Sequence, residues 1–263
     1  MTSSTLDRLV EGALRRDRAV IVAGLFALSV LAWLYLWREA DVMDRMMAGE
    51  LPMAMQPTAA SATTLLLVFL MWAVMMVGMM VPSAAPMILF YAAMVRRNSE
   101  RGTLLPAAWI FTGGYLLVWT AFSLAATALQ VLFEALSVAS SMMVVNSRWL
   151  AGGLLVAAGI YQWSPLKEVC LAKCRSPLHF ITGHWHAGRI GALRMGAVHG
   201  LYCLGCCWAL MLLLFVGGVM NLVCVALITM FVLIEKLTPR GRLVGRVAGV
   251  GFVVAGVYLL VSG

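Results

Sequence analysis

Four side chains that can bind a metal are concentrated in one short run of the sequence, HGLYCLGCCW. They are His199, Cys203, Cys206 and Cys207. On a helix that advances about 100° per residue, positions 199, 203 and 206 fall within an arc of about 60°. One imidazole and two thiols therefore face the same side of the helix. Such ligands suit Cu(I), with Zn(II) as the alternative where the geometry is tetrahedral. The run predicts a soft-metal site, against the alternative that buried cysteines serve only packing.

Methionines form a second candidate feature, in the run MWAVMMVGMM. They lie on two helical stripes, with Met71, Met75 and Met79 on one and Met76 and Met80 on the other. On spacing alone such stripes are more often packing residues, although a thioether also binds Cu(I). We predict that Met79, Met80 and Met87 share the depth of the HGLYCLGCCW run. The stretch from Met71 to Met87 is predicted to form a metal path of lower affinity, with Met75, Met79 and Met80 as its ligands.

A third feature, YQWSPLKEVCLAKCRSP, carries Cys170 and Cys174. If this segment is helical, the two thiols lie one turn apart on one face. Three basic residues stand nearby and would favour thiolate over thiol: Lys167, Lys173 and Arg175. We predict a second thiol site here, in a cytoplasmic loop where disulfides are rare. Three histidines follow in the same loop and are compatible with metal binding, but an interfacial position is favoured for them: His179, His184 and His186.

The composition requires that these residues be positioned inside a membrane. The 263 residues are 63% hydrophobic and 11% charged, with a mean hydropathy of +0.95, whereas soluble domains carry roughly 25% charged residues. The predicted partner is therefore the lipid bilayer. The net charge of +8 does not indicate a nucleic-acid partner, because the basic residues occupy short gaps between apolar stretches.

We predict an all-α fold, a polytopic membrane bundle of about seven transmembrane helices. The chain divides into a cytoplasmic leader (1–18), an uncleaved signal-anchor span (19–37), a metal-binding membrane domain (62–237) and a C-terminal span (245–263). Within the membrane domain, one span is expected to end near Pro82, followed by a bent continuation. Further spans are expected at 107–133, 149–163 and on either side of a turn near 217–220. Four small residues of the last span are expected to pack closely against another helix: Gly245, Gly249, Gly251 and Ala255.

The distribution of basic residues predicts the orientation. With the N terminus inside, 16 of the 19 Lys and Arg residues face the cytoplasm and the other three, Arg38, Arg45 and Arg148, face outside. This asymmetry follows the positive-inside rule and leaves the C terminus outside. We expect a multi-pass protein of a bacterial inner membrane.

On three motifs the chain resembles a family of bacterial integral membrane proteins that are predicted to bind metal. The motifs are MWAVMMVGMMVPSAAPM, YQWSPLKEVCLAKCRSP and HGLYCLGCCWALM, and the resemblance covers about 62–237. It implies metal handling, and some members resemble copper chaperones that supply a tyrosinase or another copper oxidase. Carried onto this sequence, it implies Cys170, Cys174 and the four residues of the HGLYCLGCCW run as metal ligands.

We therefore predict a membrane copper-binding protein that delivers Cu(I) to a copper oxidase such as tyrosinase, or exchanges it with a small periplasmic or cytoplasmic metal carrier. It is not expected to be an enzyme, since the sequence has no nucleotide cradle, no nucleophile with its base and no paired catalytic carboxylates. The alternative is a membrane thiol–disulfide oxidoreductase that uses a quinone. A third interpretation treats the Cys and Met residues as packing in a scaffold protein.

Overall fold

The computed structural model describes residues 3–50, 61–98, 104–136 and 147–262, and its regular elements in these ranges are all helices. In chain order they are α1 (Ser3–Met47), α2 (Ala62–Asn98), α3 (Leu104–Ala135), α4 (Arg148–Tyr161), α5 (Pro165–Arg175), α6 (Pro177–His184), α7 (Gly188–Leu212), α8 (Leu214–Gly217), α9 (Leu222–Leu237) and α10 (Gly241–Val261). The predicted all-α class is confirmed.

Five helical segments in the described ranges are long and apolar enough to cross a bilayer, rather than the seven predicted. They run over Arg16–Met46, Ala62–Arg96, Leu105–Ala135, Gly188–Gly217 and Gly241–Val261. The other two predicted spans are short, since α4 has 14 residues and α9 has 16. A straight crossing of the hydrocarbon layer takes about 20 residues. The predicted number of spans was wrong because apolar composition does not show where a helix ends.

Helix α2 continues through Pro82 and Pro86, so the predicted end of a span near Pro82 was also wrong. A proline inside a helix has no N–H to offer the carbonyl four residues earlier. For Pro82 that carbonyl belongs to Gly78, and the indole Nε1–H of Trp33 on α1 donates to it at 3.3 Å. The antiparallel neighbour α1 therefore satisfies the backbone group that the proline frees.

Helices α3 and α7 approach so closely that their contacts require glycine. A Cβ on Gly114 would meet the backbone of α7, and one on Gly196 would meet the carbonyl of Phe111. Further along both helices, Gly200 lies against Val118, so α3 and α7 run parallel. Two parallel helices can follow each other in the chain only if the segment between them crosses back to the end where α3 begins. Helix α4 runs in this opposite direction.

Helix α4 packs antiparallel to α10 through small residues on both. Gly152 lies against Gly256, and Gly159 lies against Gly249. Close packing of the last helix through small residues, predicted from its glycine spacing, is confirmed at Gly249. Gly251 of the predicted set instead faces open space.

The turn predicted near residues 217–220 is present. Helix α8 ends at Gly217, Gly218 has a positive φ of 92°, and the side chain of Asn221 caps α9 by accepting backbone N–H bonds from its first turn. A positive φ favours glycine because it has no Cβ. The turn sends α9 back along α7, so that the end of α9 reaches the cysteines of α7.

Candidate metal centre

The four predicted ligands on α7 are all buried within the helix bundle. His199 is 3% exposed, Cys203 and Cys207 are 1% exposed, and Cys206 is fully buried. The thiols of Cys206 and Cys207 donate to the backbone carbonyl of Cys203, at 3.0 and 2.9 Å. The face predicted from helical spacing therefore points into the protein, and the sulfurs are not exposed to lipid.

Helix α5 brings the two other predicted thiols to this face. The predicted helix is present, and it starts at Pro165 after Ser164, whose side chain caps it. Gly205 of α7 leaves the space that the Sγ of Cys170 occupies, because a Cβ at that position would collide with this sulfur. The side chain of Cys174 lies beside those of Cys203 and Cys206.

Five of the six free cysteines thus form one group, which we call the thiol cluster. Its members are Cys170, Cys174, Cys203, Cys206 and Cys207. The sixth, Cys224, packs against Gly217, ten residues beyond Cys207 on the same helical segment, which corresponds to about 15 Å along an α-helix. The sequence predicted two thiol sites, and the structure places them together.

A buried lysine contacts the thiol cluster. The Nζ of Lys236 lies 2.8 Å from the Sγ of Cys203 and 3.1 Å from the Oγ of Ser83 on α2. On the other side, the hydroxyl of Tyr115 lies 3.0 Å from the same sulfur. An ammonium group beside a sulfur stabilises negative charge on it. Lys236 and Tyr115 were both missed by the sequence analysis.

A second buried lysine forms an ion pair that joins α5 to α9. The Nζ of Lys167 lies 2.7 Å from Oε1 and 2.8 Å from Oε2 of Glu235, and both side chains are 3% exposed or less. Lys167 and Lys236 were counted on the cytoplasmic side in predicting the orientation. Both are buried inside the bundle, and the orientation itself stays a prediction.

The predicted effect of the loop cations on the α5 thiols was also wrong. Burial raises the pKa of Cys170, and hydrogen bonds to Cys203 and Cys206 hold the pKa of Cys174 well above its ordinary value. The loop cations have other partners. Lys167 pairs with Glu235, Lys173 contacts His179, and Arg175 donates to the backbone carbonyls of Thr238 and Pro239.

His199 sits in an aromatic pocket one turn before Cys203. Its ring stacks near Tyr115, with centroids 5.7 Å apart, and meets the edge of Phe180 at 5.3 Å. Its Nδ1 is buried and has no hydrogen-bond partner among the described residues. A buried polar atom without a partner is costly. The imidazole therefore keeps an unused nitrogen near the thiol cluster.

The methionines of α2 face the core, and one of them lies at the level of the thiol cluster. Both stripes are buried. The hydroxyl of Tyr115, which contacts Cys203, also donates to the backbone carbonyl of Met80 at 3.2 Å. The predicted common depth therefore holds for Met80. Ser83, one turn further along α2, contacts Lys236 at the same level.

No group of three or more His, Cys, Asp and Glu side chains in the described ranges is already arranged to hold a metal ion. The thiols of Cys206 and Cys207 are turned toward the carbonyl of Cys203. Rotation about one side-chain bond would free each sulfur for a metal. The donors themselves, thiols with one nearby imidazole, are of the kind that binds Cu(I) or Zn(II).

Comparison with known families decides the class of protein. Residues 69–259 match the family described as PpoB2, copper chaperone. This chain belongs to that copper chaperone family. The match covers most of the chain and includes all six cysteines. It confirms the resemblance to copper chaperones and fits a protein that is not an enzyme. No curated protein and no solved structure matches the chain.

Proposed function

We propose that this copper chaperone binds Cu(I) at the thiol cluster inside a bacterial inner membrane and delivers it to a copper oxidase such as tyrosinase. The observation that carries the proposal is the convergence of α5 and α7, which groups five thiols beside the buried ammonium of Lys236. Family membership supports copper as the metal. The five apolar helices support a membrane location.

Charge balance supports Cu(I) bound by thiolates at this position. A Cu(I) ion held by two thiolates carries one net negative charge, and a buried charge without a partner is costly. Lys236, 7% exposed and in contact with Cys203, supplies the compensating positive charge.

The methionines of α2 provide a weaker set of donors at the same depth. Met80 lies level with Cys203, and Met79 and Met75 follow along α2 away from the thiol cluster. Thiolates hold Cu(I) more strongly than thioethers do, so capture occurs at the cysteines and transfer proceeds along the methionines. With the N terminus inside and the C terminus outside, this path leads from the thiol cluster toward the outer face.

Cu(I) binding to purified protein in detergent, in competition with a chromophoric chelator, tests the proposal. The wild type is expected to bind one or two Cu(I) per chain, and Cys203→Ser with Cys206→Ser should abolish the tight component. The matched control is Cys224→Ser, which removes a thiol outside the thiol cluster and should change nothing. Tight binding that survives in the double variant would contradict the proposal.

A variant of the lysine tests the charge argument separately. Lys236→Met keeps most of the side-chain volume and removes the ammonium, and we expect Cu(I) affinity to fall by about tenfold or more. Unchanged affinity would show that the lysine does not balance the charge of the complex.

A further inference from the structure

The three histidines between α5 and α7 differ in whether a ring nitrogen remains free. The Nε2 of His179 is 2.7 Å from the Nζ of Lys173, and the Nε2 of His186 is 3.4 Å from a guanidinium nitrogen of Arg194. Each of these nitrogens accepts from a cation and cannot at the same time bind a metal. The Nδ1 of His186 is also engaged, with the backbone carbonyl of residue 184.

His184 is the exception among them. Its Nδ1 lies 3.0 Å from the backbone carbonyl of Phe180, and because a carbonyl only accepts, this nitrogen carries the hydrogen. The neutral ring then presents the lone pair of Nε2, which contacts no donor in the described ranges. His184 ends α6 and is only half-buried. It therefore offers a free imidazole nitrogen at the surface.

One aromatic ring separates this surface imidazole from the buried imidazole of His199. Phe180 is fully buried and stacks on His184, with centroids 4.9 Å apart and an interplanar angle of 14°. Phe180 also makes an edge contact with His199, with centroids 5.3 Å apart. Tyr202 makes edge contacts with both Phe180 and His184 and belongs to the same aromatic group. His199 in turn lies one helical turn from Cys203.

The unpartnered Nδ1 of His199 is an independent sign that this line of residues meets a ligand. Together the rings lead from a free surface nitrogen, past one phenyl ring, to a buried nitrogen and then to the thiols. Imidazole is a good ligand for copper, and exchange between nearby ligands lets a metal move without being released to water.

We propose that His184 is the access ligand through which Cu(I) reaches the thiol cluster, and that Phe180 is the gate between His184 and His199. The proposal rests on the proposed function of the thiol cluster. Cu(I) first binds His184, the Phe180 ring turns aside, and the ion passes to His199 and then to Cys203. No electron is exchanged in these steps, and the thiol proton of Cys203 is released as its sulfur binds the ion.

The rate of copper loading tests the access ligand. Wild-type protein and His184→Ala are mixed by stopped flow with Cu(I) bound to bicinchoninate, and transfer is followed from the loss of chelator colour. We expect loading of His184→Ala to be about tenfold slower, with the same final stoichiometry and affinity as the wild type. The matched controls His179→Ala and His186→Ala should load at the wild-type rate, because the Nε2 of each ring already accepts from a cationic side chain.

The gate is tested with Phe180→Ala and, because a deleted core ring can disrupt folding, with the milder Phe180→Leu. A smaller side chain should speed both loading and release in proportion, leaving the equilibrium affinity unchanged. Wild-type rates in Phe180→Leu would overturn the gate.

Three outcomes would overturn the access ligand, and they are distinguishable. Equal loading rates for His184→Ala and His179→Ala would remove the access role while leaving the proposed function intact. Loss of equilibrium affinity in His184→Ala would make this residue part of the tight site instead. Absence of tight Cu(I) binding in the wild type would refute the proposed function and this inference with it.

Discussion

Removing one member of the buried ion pair Lys167–Glu235 should destabilise the protein and release α5 from the thiol cluster. The pair joins α5, which carries Cys170 and Cys174, to α9. Deleting one partner of such a pair leaves a buried charge without compensation, which costs about 3–5 kcal/mol. That is roughly a hundredfold to a few thousandfold change in the unfolding equilibrium.

The surroundings of Glu235 predict which single variant costs more. Lys236 and Arg175 also exert an attractive charge on this carboxylate, so Lys167→Met leaves Glu235 partly compensated and should cost about 3 kcal/mol. Glu235→Met instead leaves two buried lysines without their carboxylate and should cost about 5 kcal/mol. The double variant, which replaces both charges of the pair by apolar groups but still leaves Lys236 without Glu235, should recover most of the lost stability.

Reversible unfolding in mixed micelles, followed by circular dichroism as the fraction of denaturing detergent rises, measures these free energies. The same variants are then loaded with Cu(I). Both single variants should lose affinity because the α5 thiols move away, and the double variant should recover much of it. Two small single effects that simply add in the double variant would refute the reasoning, since they would show that the ion pair does not hold α5 in place.

Three further predictions follow from contacts elsewhere in the bundle. Gly114→Ala should destabilise the protein by about 1–3 kcal/mol through a backbone clash with α7. The control Gly113→Ala should be neutral, because a Cβ there meets nothing within 4 Å. Equal effects of the two variants in an unfolding titration would contradict the close packing of α3 on α7. Because burial raises the pKa of Cys170, less of this thiol is thiolate at pH 8 than in free cysteine. Mass spectrometry should therefore show that iodoacetamide labels Cys170 more slowly than free cysteine. An equal rate would contradict the burial of Cys170. Met75→Leu with Met79→Leu should keep the tight Cu(I) stoichiometry but slow release to an external chelator, and an unchanged release rate would argue against the methionine path.

The helical class and the face of α7 could be predicted from the sequence because both depend on local periodicity. The apolar composition predicts membrane-type helices. The spacing of His199, Cys203 and Cys206 puts them on one face of a helix, whatever that helix packs against. The close contact at Gly249 could be predicted for the same reason, because the spacing of small residues along one helix marks where another helix can approach closely.

The number of spans and the polar partners of the thiols were missed because they depend on tertiary packing. Helices α4 and α9 are short, and hydropathy does not indicate their ends. Tyr115 reaches Cys203 only because Gly114 and Gly196 let α3 and α7 pack closely. Lys236 did carry a signal, since an ionisable residue inside an apolar run marks a functional position, but it was counted among the cytoplasmic charges at the end of a span.

The central claim is that thiols from α5 and α7 bind one Cu(I) ion together, and X-ray absorption of the Cu(I)-loaded protein tests it most directly. We expect a coordination shell dominated by two or three sulfurs at about 2.3 Å, near other metal–thiolate distances, with one sulfur fewer in Cys174→Ser and no change in Cys224→Ser. A shell of nitrogen or oxygen alone, or a sulfur number that Cys174→Ser leaves unchanged, would contradict the claim.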